Sequence, residues 1–229
     1  MASIIVTGAN GNLGLAVVGR LLLDGYSVVT SSGKEGAGLL PNHEKLVDYQ
    51  VDLLNEKEAE HFVGNAIQDH SDIRAAVLLV GGFAMGKLTE TSEENLNKMI
   101  GLNFMTAFNI VKPLLKHFLE HQQGGQFILI GSRPGLNAEA GKDFFAYSMS
   151  KAMIFKLAEF INAEGKEKNV TATVIVPSTI DTDANRKAMP GGDFSKWVPP
   201  ANIADTIAFA LSETGQMLKE PVIKIYNKS

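Results

Sequence analysis

Short runs of Val, Ile, Leu and Ala alternate along the chain with longer stretches of helical periodicity. Ile4-Ile5-Val6 is the first continuous apolar run, and a helical pattern follows over 13–23. Residues 26–30 predict a second strand, 46–51 a weaker third, and 55–68 a charged helix. A fourth strand is predicted over 75–80. A helical stretch over 92–120 follows, opening Ser-Glu-Glu-Asn, which has the chemistry of an N-cap and an acidic first turn. Strand 126–130, a second long helix over 144–168, a β-branched strand over 170–176, a helix over 201–211 and a strand over 222–226 complete the series.

Strands that read as unbroken apolar runs are buried on both faces, and intervening helices make their connections parallel. The expected fold is therefore α/β, a doubly wound parallel sheet of Rossmann-like type, with a single domain spanning 1–229. No repeat, low-complexity tract or linker divides the chain. Two irregular stretches, 33–42 and 177–200, are expected at the carboxyl ends of strands, where such sheets bind ligands. The second reads as a substrate lid over about 178–200.

Composition narrows the function. With 229 residues, 45% of them hydrophobic, the chain can bury one sizeable core. A net charge of −4 and a pI near 5.8, without a basic block, argue against nucleic acid as a partner. The absence of cysteine excludes disulfides, thiolate metal sites and cysteine nucleophiles. No signal peptide and no membrane-length apolar run is visible, so a soluble, cytoplasmic protein is expected. The five histidines, His43, His61, His70, His117 and His121, lack metal-site spacing, and no metal is expected.

Between the first strand and first helix stands Thr7-Gly8-Ala9-Asn10-Gly11-Asn12-Leu13-Gly14. Glycines there let the backbone turn sharply and approach a pyrophosphate, while the helix N-terminus offers free N–H groups. The loop predicts a bound dinucleotide; a tight turn without ligand is the plainer alternative. The second strand ends Thr30-Ser31-Ser32-Gly33-Lys34 with no acid to hold a ribose. Ser32 takes the acid's place, and a hydroxyl beside a cation can receive a 2′-phosphate, which favours NADP over NAD. Asp52, in Val51-Asp52-Leu53, reads equally as the N-cap of the next helix or as a partner for the adenine amino group.

Tyr147-Ser148-Met149-Ser150-Lys151 lies near the start of the second long helix. A spacing of four puts Tyr147 and Lys151 on one face. An adjacent ammonium is expected to lower the phenol's pKa and make the pair a general acid–base. Such pairs are also common on solvated helices, and here the setting behind a glycine loop decides.

With these motifs in place, the chain resembles the short-chain dehydrogenase/reductase family over essentially its whole length. The resemblance implies an NAD(P)-dependent oxidoreductase with Tyr147 as acid–base and Lys151 also binding the nicotinamide ribose. It implies that Ser132 orients a substrate carbonyl and that Asn103 holds a water in a proton relay. Gly8, Asn10, Gly11, Asn12, Leu13, Gly14, Ser32, Asp52, Leu53, Gly81, Gly82, Pro177, Ile180 and Thr182 would join Tyr147 and Lys151 around the cofactor. Alone, Ser132 reads as a strand-end turn residue and Asn103 as a plain helix residue. The chain departs from the family pattern in an early Gly11, in Val80-Gly81-Gly82-Phe83-Ala84 after the fourth strand, and in fifteen residues from Ser132 to Tyr147, more than is usual.

The early Gly11, Gly81-Gly82-Phe83, the run from Thr182 to Pro190 and Asp193-Phe194-Ser195-Lys196-Trp197 resemble the dihydropteridine reductase branch. That branch implies quinonoid dihydropterin or a similar planar heterocycle as substrate. It typically lacks the serine and helix asparagine that this chain has, so reduction of small ketones or 3-oxoacyl groups is the alternative. A non-catalytic NAD(P)-sensing protein is a third reading, which the intact Tyr147/Lys151 pair opposes. Phe83, Met189 and Trp197 are candidate substrate contacts, with Trp197 equally an anchor for the lid. The two long helices carry apolar residues over much of their surface, and the resemblance implies a homodimer or homotetramer through them.

Overall fold

The computed structural model describes residues 2–33, 38–70, 72–121, 124–218 and 221–228. Seven apolar runs form strands: β1 (Ser3–Thr7), β2 (Ser27–Ser32), β3 (Leu46–Gln50), β4 (Ile73–Leu78), β5 (Gly125–Ile130), β6 (Val170–Pro177) and β7 (Val222–Ile225). They make one parallel sheet in the order β3-β2-β1-β4-β5-β6-β7. The order reverses between β1 and β4, and that switch point opens a crevice at their carboxyl ends.

Helices cover both faces. On one side lie α1 (Asn12–Leu23) and, late in the chain, α9 (Pro200–Leu211), packed over Ile4, Val6, Val28, Val77, Ile128 and Ile175. On the other lie α2 (Glu56–Asp69), α3 (Glu93–Ile100), α4 (Thr106–Glu120) and α7 (Phe145–Gly165). Here α2, α4 and α7 pack over Ile5, Val29, Ala76, Phe127, Leu129 and Val174. Side chains of successive strand residues go to opposite clusters, which is why the runs are apolar throughout. Short helices α5 (Arg133–Leu136) and α6 (Ala138–Gly141) fill the path from β5 to α7, α8 (Asp183–Ala188) stands in the proposed lid, and α10 (Glu213–Gln216) follows α9.

Two helix expectations need correction. The stretch 92–120 is not one α-helix: after Ser92 caps α3 by accepting from Asn95 N at 3.2 Å, a π turn over Gly101–Met105 separates α3 from α4. The cap of α2 is Asn55, which accepts from the N–H groups of Lys57 and Glu58, and not Asp52. Asp52 instead closes a local turn onto Leu54 N at 3.0 Å. No helix is seen between β2 and β3 among the described residues. Nor, among them, is any helix long and apolar enough to cross a membrane.

Candidate active site

The loop after β1 is built on steric necessity at two glycines. Gly8 has φ +67°, a left-handed conformation, and a side chain on Gly14 would lie 2.2 Å from Gly8 O and 2.6 Å from Ala9 Cα. Helix α1 can therefore begin directly against the loop. Its N-cap is Gly11, with no side-chain cap and no acid in the first turn, so the positive end of α1 faces the crevice unanswered by protein side chains. Asn12 is exposed there, and Asn10 and Leu13 are half-buried. This is a cradle that a dinucleotide pyrophosphate fits.

Across the switch point, Gly81 and Gly82 follow β4. A methyl group on Gly81 would lie 2.6 Å from Asn103 Oδ1 and 3.4 Å from Lys151 Nζ, so the missing side chain lets the Asn103 amide pack directly against this loop. Asn103 sits in the π turn and is 1% exposed. Turns of this kind recur at functional sites because the wider turn re-aims a side chain. Asn103 Oδ1 accepts from Gly82 N at 2.9 Å, and its Nδ2 donates to Gly82 O and to Ser150 Oγ, both at 3.0 Å.

Ser132, at the end of β5, is buried; its hydroxyl caps α5 by accepting from Gly135 N at 3.2 Å and lies near enough to the Tyr147 phenol to lower its pKa. Lys151 is buried as well and donates to Ile130 O at 2.8 Å. Burial alone brings its pKa down to about 8. Tyr147 departs from the expected direction. Burial pushes its pKa up, and the Ser132 hydroxyl only partly opposes this. The Lys151 ammonium donates to the Ile130 carbonyl at the strand end, and no influence of it offsets the burial of the phenol.

Phe83 is 59% exposed and meets Tyr147 edge-to-face at 5.1 Å and Phe144 at 5.2 Å. Its segment is tied to the start of α7, with Gly86 N donating to Asp143 O and Phe145 N to Gly86 O, both at 2.8 Å. Met189 is exposed beyond α8. Trp197 is not open for stacking: it is 7% exposed, lies 4.7 Å from Phe194, and would touch any side chain at Gly192. Thr182 caps α8 by accepting from Asn185 N, Ile180 bridges to Val198, and Pro177 ends β6.

At the adenosine end, Ser32 is 1% exposed and donates to Asp48 Oδ1 at 2.9 Å, as Thr30 does at 2.6 Å. Its hydroxyl proton is thus committed to β3, and Lys34, the cation invoked beside it, lies outside the described residues. Asp52 is exposed, whereas Leu53 is a core residue whose carbonyl accepts from Asn109 Nδ2 at 2.9 Å. Sequence reasoning missed Asp48 and Ser150. Asp48 needed the strand register, which pairs it with Thr30. Ser150 carried a local signal, three residues after Tyr147 on the inner face of α7. Among the described residues no group of three or more His, Cys, Asp or Glu could hold a metal.

Comparison with known proteins agrees with this geometry. The family description "short chain dehydrogenase" matches residues 2–191. The 3-oxoacyl-[acyl-carrier-protein] reductase MabA of Mycobacterium tuberculosis is 28% identical over 236 aligned positions, covering 97% of this chain and 90% of that protein. The dihydropteridine reductase of Dictyostelium discoideum is 27% identical over 213 positions, covering 90% and 85%. The solved structure described as ElxO with NADP bound superposes with a TM-score of 0.88 at 22% identity, covering 98% of this chain and 96% of that one.

Proposed function

The chain belongs to the short-chain dehydrogenase family and is an NAD(P)-dependent oxidoreductase, and from that premise we propose that it reduces the carbonyl group of a small or acyl substrate. One observation carries the reading: the Ser132 hydroxyl lies near enough to the Tyr147 phenol to lower its pKa, and Lys151 is buried one turn on from Tyr147 along α7. Two such hydroxyls can share one carbonyl oxygen.

When bound, the nicotinamide supplies hydride to the carbonyl carbon. Gly8, Gly11, Asn12, Leu13 and Gly14 would hold its pyrophosphate at the start of α1. Gly81, Gly82, Pro177, Ile180 and Thr182 would border its nicotinamide half, and Asp52 its adenine. Ser132 orients the substrate oxygen, and Tyr147 gives it a proton as its negative charge develops. A buried phenol of raised pKa holds its proton firmly until that charge appears. Lys151, with a pKa near 8, is poised to replace the proton near neutrality. In this reading Asn103 Oδ1 and Lys151 Nζ both lie close to Gly81, and Asn103 steadies the loop beside the catalytic pair.

A second reading is favoured by Phe83. Its exposed ring beside Tyr147 offers a platform for a planar heterocycle such as quinonoid dihydropterin. The likeness to a dihydropteridine reductase supports it. The two readings separate in one assay: oxidation of NADPH and NADH with 2,3-butanedione, acetoacetyl-CoA and quinonoid dihydropterin. Turnover of the carbonyls, lost by ~10³-fold in Tyr147→Phe, is expected. Pterin turnover alone, or full carbonyl activity in Tyr147→Phe, overturns the leading reading.

NADP is the favoured cofactor, since β2 ends without an acid; a preference of about a hundredfold for NADH in binding would reverse that. Residues 178–200 act as the lid, with Trp197 as its fixed end. A groove of about 900 Å³ on the outer face of α4 and α7, lined by Phe104, Phe108, Leu115, Met153 and Phe160, is covered in this reading by a second copy of the chain. The enzyme would draw on the cytoplasmic nicotinamide pool.

A further inference from the structure

Ser150 is 0% exposed and stands between the two long helices. Its hydroxyl donates to Tyr147 O at 2.8 Å, one turn back on α7, and so must accept from Asn103 Nδ2 at 3.0 Å. The other proton of that amide goes to Gly82 O, and its oxygen accepts from Gly82 N. Every hydrogen-bonding direction in this chain is therefore fixed, from the loop after β4, through the π turn, to the carbonyl of Tyr147. Among the described residues, no other side-chain hydrogen bond of Asn103 reaches α7.

We propose that Ser150 is a positioning residue, which sets how far the Gly81–Gly82 loop and the Asn103 amide stand from Tyr147 and Lys151 by acting through Asn103. The proposal rests on reading Tyr147 and Lys151 as the proton-donating pair. Asn103 Oδ1 and Lys151 Nζ both lie within a side chain's reach of Gly81, so a shift of the Asn103 amide is felt next to Lys151. Lys151 is held to β5 by Ile130 O, and Asn103 is held to α7 by Ser150 alone among these bonds. With the hydroxyl removed, the amide keeps Gly82 but loses its tie to the catalytic helix. The π turn and the loop can then drift together away from Tyr147 and Lys151.

The decisive measurement is hydrogen exchange at single amides by NMR, on wild type and Ser150→Ala, with no substrate present. Gly82 N–H should exchange at least about tenfold faster in the variant, while Ile128 in the core of β5 changes by less than about twofold. Equal acceleration at both sites means a merely structural role and overturns the proposal, as does an unchanged Gly82. Ser150→Thr, which keeps the hydroxyl, should return Gly82 to its wild-type rate; if both variants exchange alike, the hydroxyl is not the agent.

With NADPH and 2,3-butanedione, Ser150→Ala should lower kcat by about tenfold with KM within about twofold. Added to Asn103→Ala, the same substitution should lower kcat no further. Additive losses in the double variant overturn action through Asn103. Tyr147→Phe in the same assay keeps the two readings apart: full activity there removes the proton-donor assignment, while the exchange rate at Gly82 still reports on Ser150.

Discussion

Replacing Lys151 by methionine should make the protein inactive and, at neutral pH, more stable. Lys151 is 6% exposed, and burial takes its pKa from 10.5 to about 8. That displacement corresponds to roughly 3 kcal/mol of preference for the neutral amine, which is the cost of keeping the ammonium charged in the fold at pH 7. Methionine fills similar space without a charge. It leaves Ile130 O without its 2.8 Å donor, and an unpaired buried carbonyl costs roughly 1–2 kcal/mol. The net expectation is a gain of about 1–2 kcal/mol at pH 7, read from urea unfolding of both proteins. The sign with pH is definite. Between pH 8 and 10.5 the unfolded wild type still binds a proton that the folded state has released, so wild-type stability climbs with pH and the variant's does not. By about pH 10 the advantage should be gone, and the unpaired carbonyl leaves the variant the weaker protein. A variant less stable than wild type at pH 7, or a difference that stays constant from pH 7 to 10, refutes the reasoning.

Other substitutions probe other parts. Gly14→Ala should prevent NADPH binding, seen as loss of its fluorescence change, and destabilise by more than about 2 kcal/mol, because its methyl would stand 2.2 Å from Gly8 O. Phe83→Ala should raise KM for quinonoid dihydropterin by about tenfold while leaving kcat for 2,3-butanedione within about twofold; equal effects on both would remove the platform role. Phe160→Glu, on a 65% exposed position of the groove, should shift the protein to monomer in light scattering with the fold intact by circular dichroism, and an unchanged mass would count against the α4/α7 interface.

The central strands were legible because parallel strands covered on both faces need unbroken apolar runs, whereas β3, at the sheet edge and partly exposed, carries Asp48 and Gln50 and reads more weakly. The glycine loop was legible because only glycine meets the sterics at Gly8 and Gly14. What the sequence hid depends on through-space partners. Asp52 and Asn55 are both good caps, and only the path of the chain gives the role to Asn55. Ser32 looked free to receive a phosphate because the residue that takes its proton, Asp48, lies on a neighbouring strand. The helical spacing of Tyr147 and Lys151 was correct, yet the sign of the phenol's pKa followed from burial, which spacing does not encode. Trp197 reads as a stacking platform or as an anchor by composition alone, and only its burial beside Phe194 closes its ring to stacking.

The π turn at Gly101–Met105 has a consequence for the rest of α4. It holds one residue more than an α turn, so it shifts the helix phase: all that follows is rotated by roughly 100° from where an unbroken helix started at Ser92 would carry it. Two distant properties therefore depend on one residue count. The extra residue turns Asn103 inward, and it also decides that Phe108 and Leu115 emerge along the outer groove. Deleting any one residue of the turn would leave a regular helix of nearly the same composition and swing both sets off target together. The aim of Asn103 and the lie of the outer groove are thus set together by the length of one turn.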